Sequence, residues 1–274
     1  MTATTRGSAA LALPRRVLAM VGDAAIALLR WPCFVAALGA AVAAAAAAPA
    51  TWRRPVRSEF QRMMRIAGTR AVWATLGASA LVGVAMVYQA LYWLGAAGQD
   101  RLVGTVITGV LVRELAPVVV GLMLAGRAGT LTLIELGTVR GSARFAALEA
   151  SGIDPLLLLV VPRVLAFALA SVSLTVIFVA GALVTGWAAS FAAASSNVGL
   201  LAFLDDVLRA MAAGDFVLLP LKGVLIGAVV GLICCAVALG APELARTPTR
   251  LIPRGFAYAI LGTFLVSGVV SLVL

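Results

Sequence analysis

Residues 113–129 read RELAPVVVGLMLAGRAG, and the two charges that open this stretch stand in the middle of an apolar run extending from Leu102 to about Leu124. At about 1.5 Å per residue such a run crosses a hydrocarbon core of about 30 Å, so it reads as a membrane-spanning helix with charges at its centre. Arg113 and Glu114 are neighbours, and successive helical side chains point about 100° apart. They cannot make a well-aligned pair with each other, so each needs another partner. Pro117 has no N–H to offer the carbonyl of Arg113, which leaves a free acceptor and the expectation of a kink beside the charges. Two readings stay open: a polar cavity serving as transport pathway or conformational switch, and a polar clamp between helices.

The rest of the chain agrees with a membrane solvent. Of 274 residues, 63% are hydrophobic and 12% charged, which would leave a soluble domain of this length without polar cover. The expected fold is all-α and polytopic, with an N-terminal interfacial or re-entrant region over residues 1–70 and a transmembrane domain over 71–274. The formal charge of +10 comes from arginines standing between apolar runs and not in one soluble module, so the positive-inside bias accounts for it and no nucleic acid is expected as a partner. The sequence has no histidine, which removes His-based acid–base chemistry, His metal ligands and His proton relays. Its single lysine, Lys222, follows a leucine, whereas a phosphate-binding Walker A loop needs lysine directly after glycine. We therefore expect no catalytic residue, no metal site and no cofactor in this chain. Cys33, Cys234 and Cys235 read as structural.

Arg16, Asp23 and Arg30 recur every seven residues opposite an apolar stripe, which predicts a surface-lying amphipathic helix from Leu13 to Arg30. The N-terminal segment offers no plausible cleavage site and is expected to be retained. Trp31 to Ala50 is apolar but mostly alanine, and either spans the membrane or lies shallowly in it. Residues 51–70 carry six arginines and belong in water or among headgroups, on the cytoplasmic side. Spans are expected at about 71–94, 102–125, 155–190, 216–239 and 256–274, with residues 126–154 as a cytoplasmic loop bearing a helix. The N-terminus is then cytoplasmic and the C-terminus on the other side. In the fourth span Gly223, Gly227 and Gly231 form a small-residue stripe for close helix packing, and Lys222 is expected to snorkel outward.

Two longer stretches, RELAPVVVGLMLAGRAGTLTLIELGTVR (113–140) and AALEASGIDPLLLLVVPRVLA (146–166), resemble the signature of the MlaE-type permeases, also called YrbE, of lipid-transporting ABC systems. The resemblance runs from about Arg53 to Arg250, and Gln89 matches the family's glutamine before the first outer loop. It implies a homodimeric permease of the bacterial inner membrane, each subunit with an interfacial helix and five spans. It further implies cytoplasmic ABC ATPase subunits that bind the ATP, a periplasmic MCE-domain lipid-binding protein, and phospholipids or related lipids as cargo. It would place Gln89, Arg113, Glu114 and Pro117 along the transport pathway, and Glu135, Gly137, Arg140, Arg144 and Glu149 on a coupling helix near 135–150 that seats in the ATPase. It also favours the interfacial reading of the first fifty residues. Two departures stand out. Ser142, Ala143 and Arg144 replace a stretch that is acidic in the family, and Thr263 stands in a final span that lacks the family's aspartate. Without the resemblance, a proton-coupled secondary transporter or a non-transporting membrane scaffold would suit the residues as well.

Overall fold

The computed structural model of the chain describes residues 32–48, 52–99, 102–152, 154–193, 199–240 and 248–273. The amphipathic helix expected at Leu13–Arg30 lies outside them. We label the helices α1 (Pro32–Ala47), α2 (Arg54–Ala67), α3 (Val72–Ala96), α4 (Val103–Arg140), α5 (Ala143–Ala150), α6 (Leu156–Ala192), α7 (Leu200–Ala210), α8 (Asp215–Gly240) and α9 (Pro248–Val273). No strand occurs among the described residues. Five helical segments are long and apolar enough to cross a membrane: α2 running through α3, α4, α6, α8, and α9 from Leu251. The described part of α1, at about 1.5 Å per residue, falls short of a core of about 30 Å.

Burial orders these helices. In their most apolar windows α6 is 50% and α8 61% buried, against 28% for α2–α3 and 22% for α9, so α6 and α8 form the centre. Small residues set that centre. A Cβ on Gly227 would strike the Phe167 carbonyl, and those on Gly223 and Gly231 would press on Val172 and Val164. The expected stripe therefore packs α8 on α6 of the same chain. A second seam, which the sequence reading did not single out, lets α3 approach α6 where Gly83 meets Ala182 and Gly186 meets Val87. Close backbone approach matters here because helix association in lipid rests on packing and not on exclusion of water.

The second span departs from expectation. It does not end near Ala125 but continues as one helix to Arg140, so the connection to the next span shrinks to α5 and its flanking turns. Three features carry the helix onward. The glycine-rich stretch Ala125–Gly129 is wound as a π-helix. The hydroxyls of Thr130 and Thr132 donate to the carbonyls of Gly126 (2.7 Å) and Ala128 (2.9 Å), and Glu135 is neutralised by arginines of other helices. A π-helical stretch also covers Ile107–Leu115, closed by Ala116 N–H donating to Leu111 O, and Pro117 sits in the first α-helical turn after it. The proline thus falls in a first α-helical turn, where a missing N–H is tolerated, and the carbonyl of Arg113, four residues back, goes without it.

Candidate functional site

The charges at the heart of α4 each find a partner on α8. Arg113 Nε lies 2.7 Å from Asp215 Oδ1 and its Nη2 donates to Asp215 Oδ2 at 2.8 Å, the fork geometry a guanidinium favours with a carboxylate. Asp215 opens α8 and also accepts from Ala212 N–H at 2.9 Å, so its side chain is 5% exposed and held on both sides. A single residue step along α4, about 100° of rotation, turns Glu114 to other partners. Its Oε1 lies 2.9 Å from Lys222 Nζ, Ser267 donates to its Oε2 at 3.1 Å, and Ser271 donates to Oε1.

Lys222 corrects the sequence reading. It does not snorkel outward; its side chain is 1% exposed and points into the bundle. Besides Glu114, its ammonium donates to Ser271 Oγ and to the backbone carbonyl of Arg113, both at 2.8 Å. That carbonyl is the acceptor Pro117 leaves without an N–H, so the proline creates a ligand for the buried lysine. An ammonium has three donors, and here all three are used. Arg113 and Glu114 nevertheless keep 43% and 45% of their side chains open. The cluster is anchored on its buried side and open on the other, roughly 15 Å along α4 from Val103 and level with the start of α8 and the end of α9. Gln89, expected to join it, is exposed on α3, and no contact brings it to the cluster. Thr263 is buried on α9, donates to Ala259 O at 2.8 Å and lies where a Cβ on Gly121 would meet its methyl group.

A second cluster forms at the far end of α4. Arg62 of α2 bridges two carboxylates, contacting Glu135 at 2.9 and 2.7 Å and Glu59 at 3.0 and 2.9 Å. Arg163 of α6, 3% exposed, reaches the same pair at 2.8 Å (Glu59) and 3.2 Å (Glu135) and donates to Leu159 O at 2.7 Å. Two arginines and two glutamates thus tie α2, α4 and α6 into a neutral knot. Glu135 is turned into this knot, with 28% of its side chain still exposed. Gly137 is buried against Leu251 of α9, and the Arg140 guanidinium stacks at 4.3 Å over the Phe145 ring of α5. The side chains of Arg144 and Glu149 lie outside the described residues. Of the five residues expected on the coupling helix, Glu135 and Gly137 thus make contacts within the bundle.

Asp215, Lys222, Ser267 and Ser271 escaped the sequence reading, as did the second knot. One signal was present: Arg113, Glu114 and Lys222 are charges inside apolar runs, and buried charges are paired.

The comparisons with known proteins match this architecture. The sequence model of the family described as "Permease MlaE" covers residues 60–273. "Protein TRIGALACTOSYLDIACYLGLYCEROL 1, chloroplastic" of Arabidopsis thaliana is 27% identical over 215 residues, 78% of this chain and 61% of that protein. The "Intermembrane phospholipid transport system permease protein MlaE" of Haemophilus influenzae is 28% identical over 119 residues, 43% of this chain and 46% of the relative. A probable ABC transporter permease protein of Synechocystis is 27% identical over 217 residues, 77% of this chain and 81% of that one.

Proposed function

The chain belongs to the MlaE permease family, and on that premise we propose that it is the membrane-spanning subunit of an ABC transporter that moves phospholipid or a related lipid between the inner membrane and a periplasmic MCE-type carrier. The Haemophilus and Synechocystis relatives, an intermembrane phospholipid transport permease and a probable ABC transporter permease, support the lipid cargo and a separate ATPase subunit. The observation that carries the reading is the half-open polar cluster of Arg113, Glu114, Asp215 and Lys222 within the span. Charges at that depth are tolerated against protein or water and not against acyl chains. Their open side calls for a second subunit and a water-accessible cavity between the two copies, which favours a homodimer.

A lipid headgroup entering such a cavity meets both signs of charge, Arg113 for its phosphate and Glu114 for an amine, while the acyl chains remain among apolar helix faces. Proton coupling through Glu114 is less well supported, because that carboxylate already has a buried ammonium and two hydroxyls as partners. On the cytoplasmic side, α5 is the short helix that joins α4 to α6, and its Phe145 is clamped by Arg140. We assign it the ATPase contact. ATP-dependent transfer of labelled phospholipid from proteoliposomes to the MCE carrier, with the cognate ATPase present and absent, tests the proposal. Transfer that proceeds equally without the ATPase would overturn it.

A further inference from the structure

The arginines of α2 divide into two sets. Arg62 faces the bundle and, with Arg163, takes up both nearby carboxylates, Glu59 and Glu135. Arg53, Arg54, Arg57 and Arg65 are exposed, and among the described residues none has an acidic partner. The opposite face of the helix, Val56, Met63 and Ala67, is buried, chiefly against α6. Among the described residues the nearby acids, Glu59 and Glu135, are turned inward, so the exposed charges on the outer face of α2 are all positive. Next to it lies a concavity lined by Trp52, Arg57, Phe60 and Gln61. Trp52 and Phe60 meet edge to face at 5.8 Å, and Trp52 Nε1 donates to Ala46 O at 3.2 Å, which pins the indole between α1 and α2. Among the described residues the hollow has two aromatic walls, a guanidinium, a carboxamide and no acid.

We propose that this concavity seats the phosphate-bearing headgroup of an anionic phospholipid of the surrounding leaflet, held in place as a fixed lipid and not as cargo. Arg57 and Gln61 supply N–H donors to the phosphodiester oxygens. Trp52 and Phe60 supply an apolar body for the glycerol and first methylenes, the position such aromatic residues favour at a membrane surface. The exposed arginines along α2 draw anionic lipid toward it. Free phosphate would use the same donors but gain nothing from the aromatic walls. The seat is at the opposite end of the bundle from the cluster around Glu114, since Glu135, in contact with α2, is roughly 30 Å along α4 from Glu114.

Titration of the purified full-length protein with phosphatidylglycerol or phosphatidylcholine, with bound lipid counted by native mass spectrometry, tests this inference. The expected result is one tightly retained phosphatidylglycerol that phosphatidylcholine does not displace, weakened about tenfold by Arg57→Gln, the scale of one charge-assisted hydrogen bond. Arg65→Gln removes the same charge from the same helix outside the hollow and should weaken retention no more than about twofold. Equal losses in the two variants would reduce the effect to general attraction and overturn the seat. Displacement of the lipid by millimolar inorganic phosphate would overturn the lipid assignment. The measurement does not involve transport, so its failure leaves the transporter reading untouched.

Discussion

Lys222 Nζ lies 2.9 Å from Glu114 Oε1, yet the lysine side chain is 1% exposed and the glutamate 45%. The pair is therefore asymmetric. Removing the lysine leaves a carboxylate that can still reach water, whereas removing the glutamate leaves a sealed ammonium with only a carbonyl and a serine hydroxyl for partners.

From this asymmetry we expect Glu114→Ala to destabilise the protein by roughly 1–3 kcal/mol, less than for a fully buried pair because Glu114 is half open. Lys222→Met should cost less stability, and Glu114→Gln, which keeps an acceptor for Lys222, should restore most of the loss. Thermal unfolding in detergent, read beside membrane abundance, checks the ordering. Greater damage from Lys222→Met would mean that the glutamate, not the lysine, is the sealed partner.

The fork between Arg113 and Asp215 joins α4 to the first residue of α8. Asp215→Ala leaves a half-open arginine and should accumulate in the membrane yet lose most lipid transfer, whereas Arg113→Ala leaves a carboxylate only 5% exposed and should lose stability as well as transfer. The exchange Arg113→Asp with Asp215→Arg should recover part of the activity if the pair orients the helices. If the exchange is as inactive as the single variants, the position of the positive charge, and not the pairing, is what transfer requires.

Around Arg163 the two carboxylates back each other up, since either Glu59 or Glu135 alone still faces both guanidiniums. Glu59→Gln and Glu135→Gln should be mild singly, while the double variant should exceed their sum by about 1–3 kcal/mol, as expected within one shared network. A double-mutant cycle on thermal stability measures this directly. Strict additivity would show that the contacts do not act as a unit.

Gly227→Ala places a methyl group on the Phe167 carbonyl and should destabilise by roughly 1–3 kcal/mol by forcing α8 away from α6. Gly77→Ala on α3 has no atom within 4 Å to meet and should be neutral or slightly stabilising through helix propensity. Comparing their unfolding midpoints separates packing from backbone effects, and equal shifts would refute the close approach at Gly227.

Much of this architecture was legible in the residues. Apolar length located the five spans, because crossing a hydrocarbon core is a local requirement that each segment must meet by itself. Adjacency on a helix alone showed that Arg113 and Glu114 need separate partners, and the missing N–H of Pro117 announced a free carbonyl. Local patterns misjudged the end of α4, since its polar continuation is stabilised by threonine hydroxyls and by Arg62 and Arg163 of other helices. They could not tell that the acceptor freed by Pro117 belongs to Lys222, 109 residues from Arg113, or that Asp215 answers Arg113. Nor could they turn Glu135 inward or choose α6 as the neighbour of the Gly227 stripe. Those outcomes depend on which helix faces meet. That is set by the joint packing of all the helices, through contacts between residues far apart in sequence, and only the tertiary structure decided it.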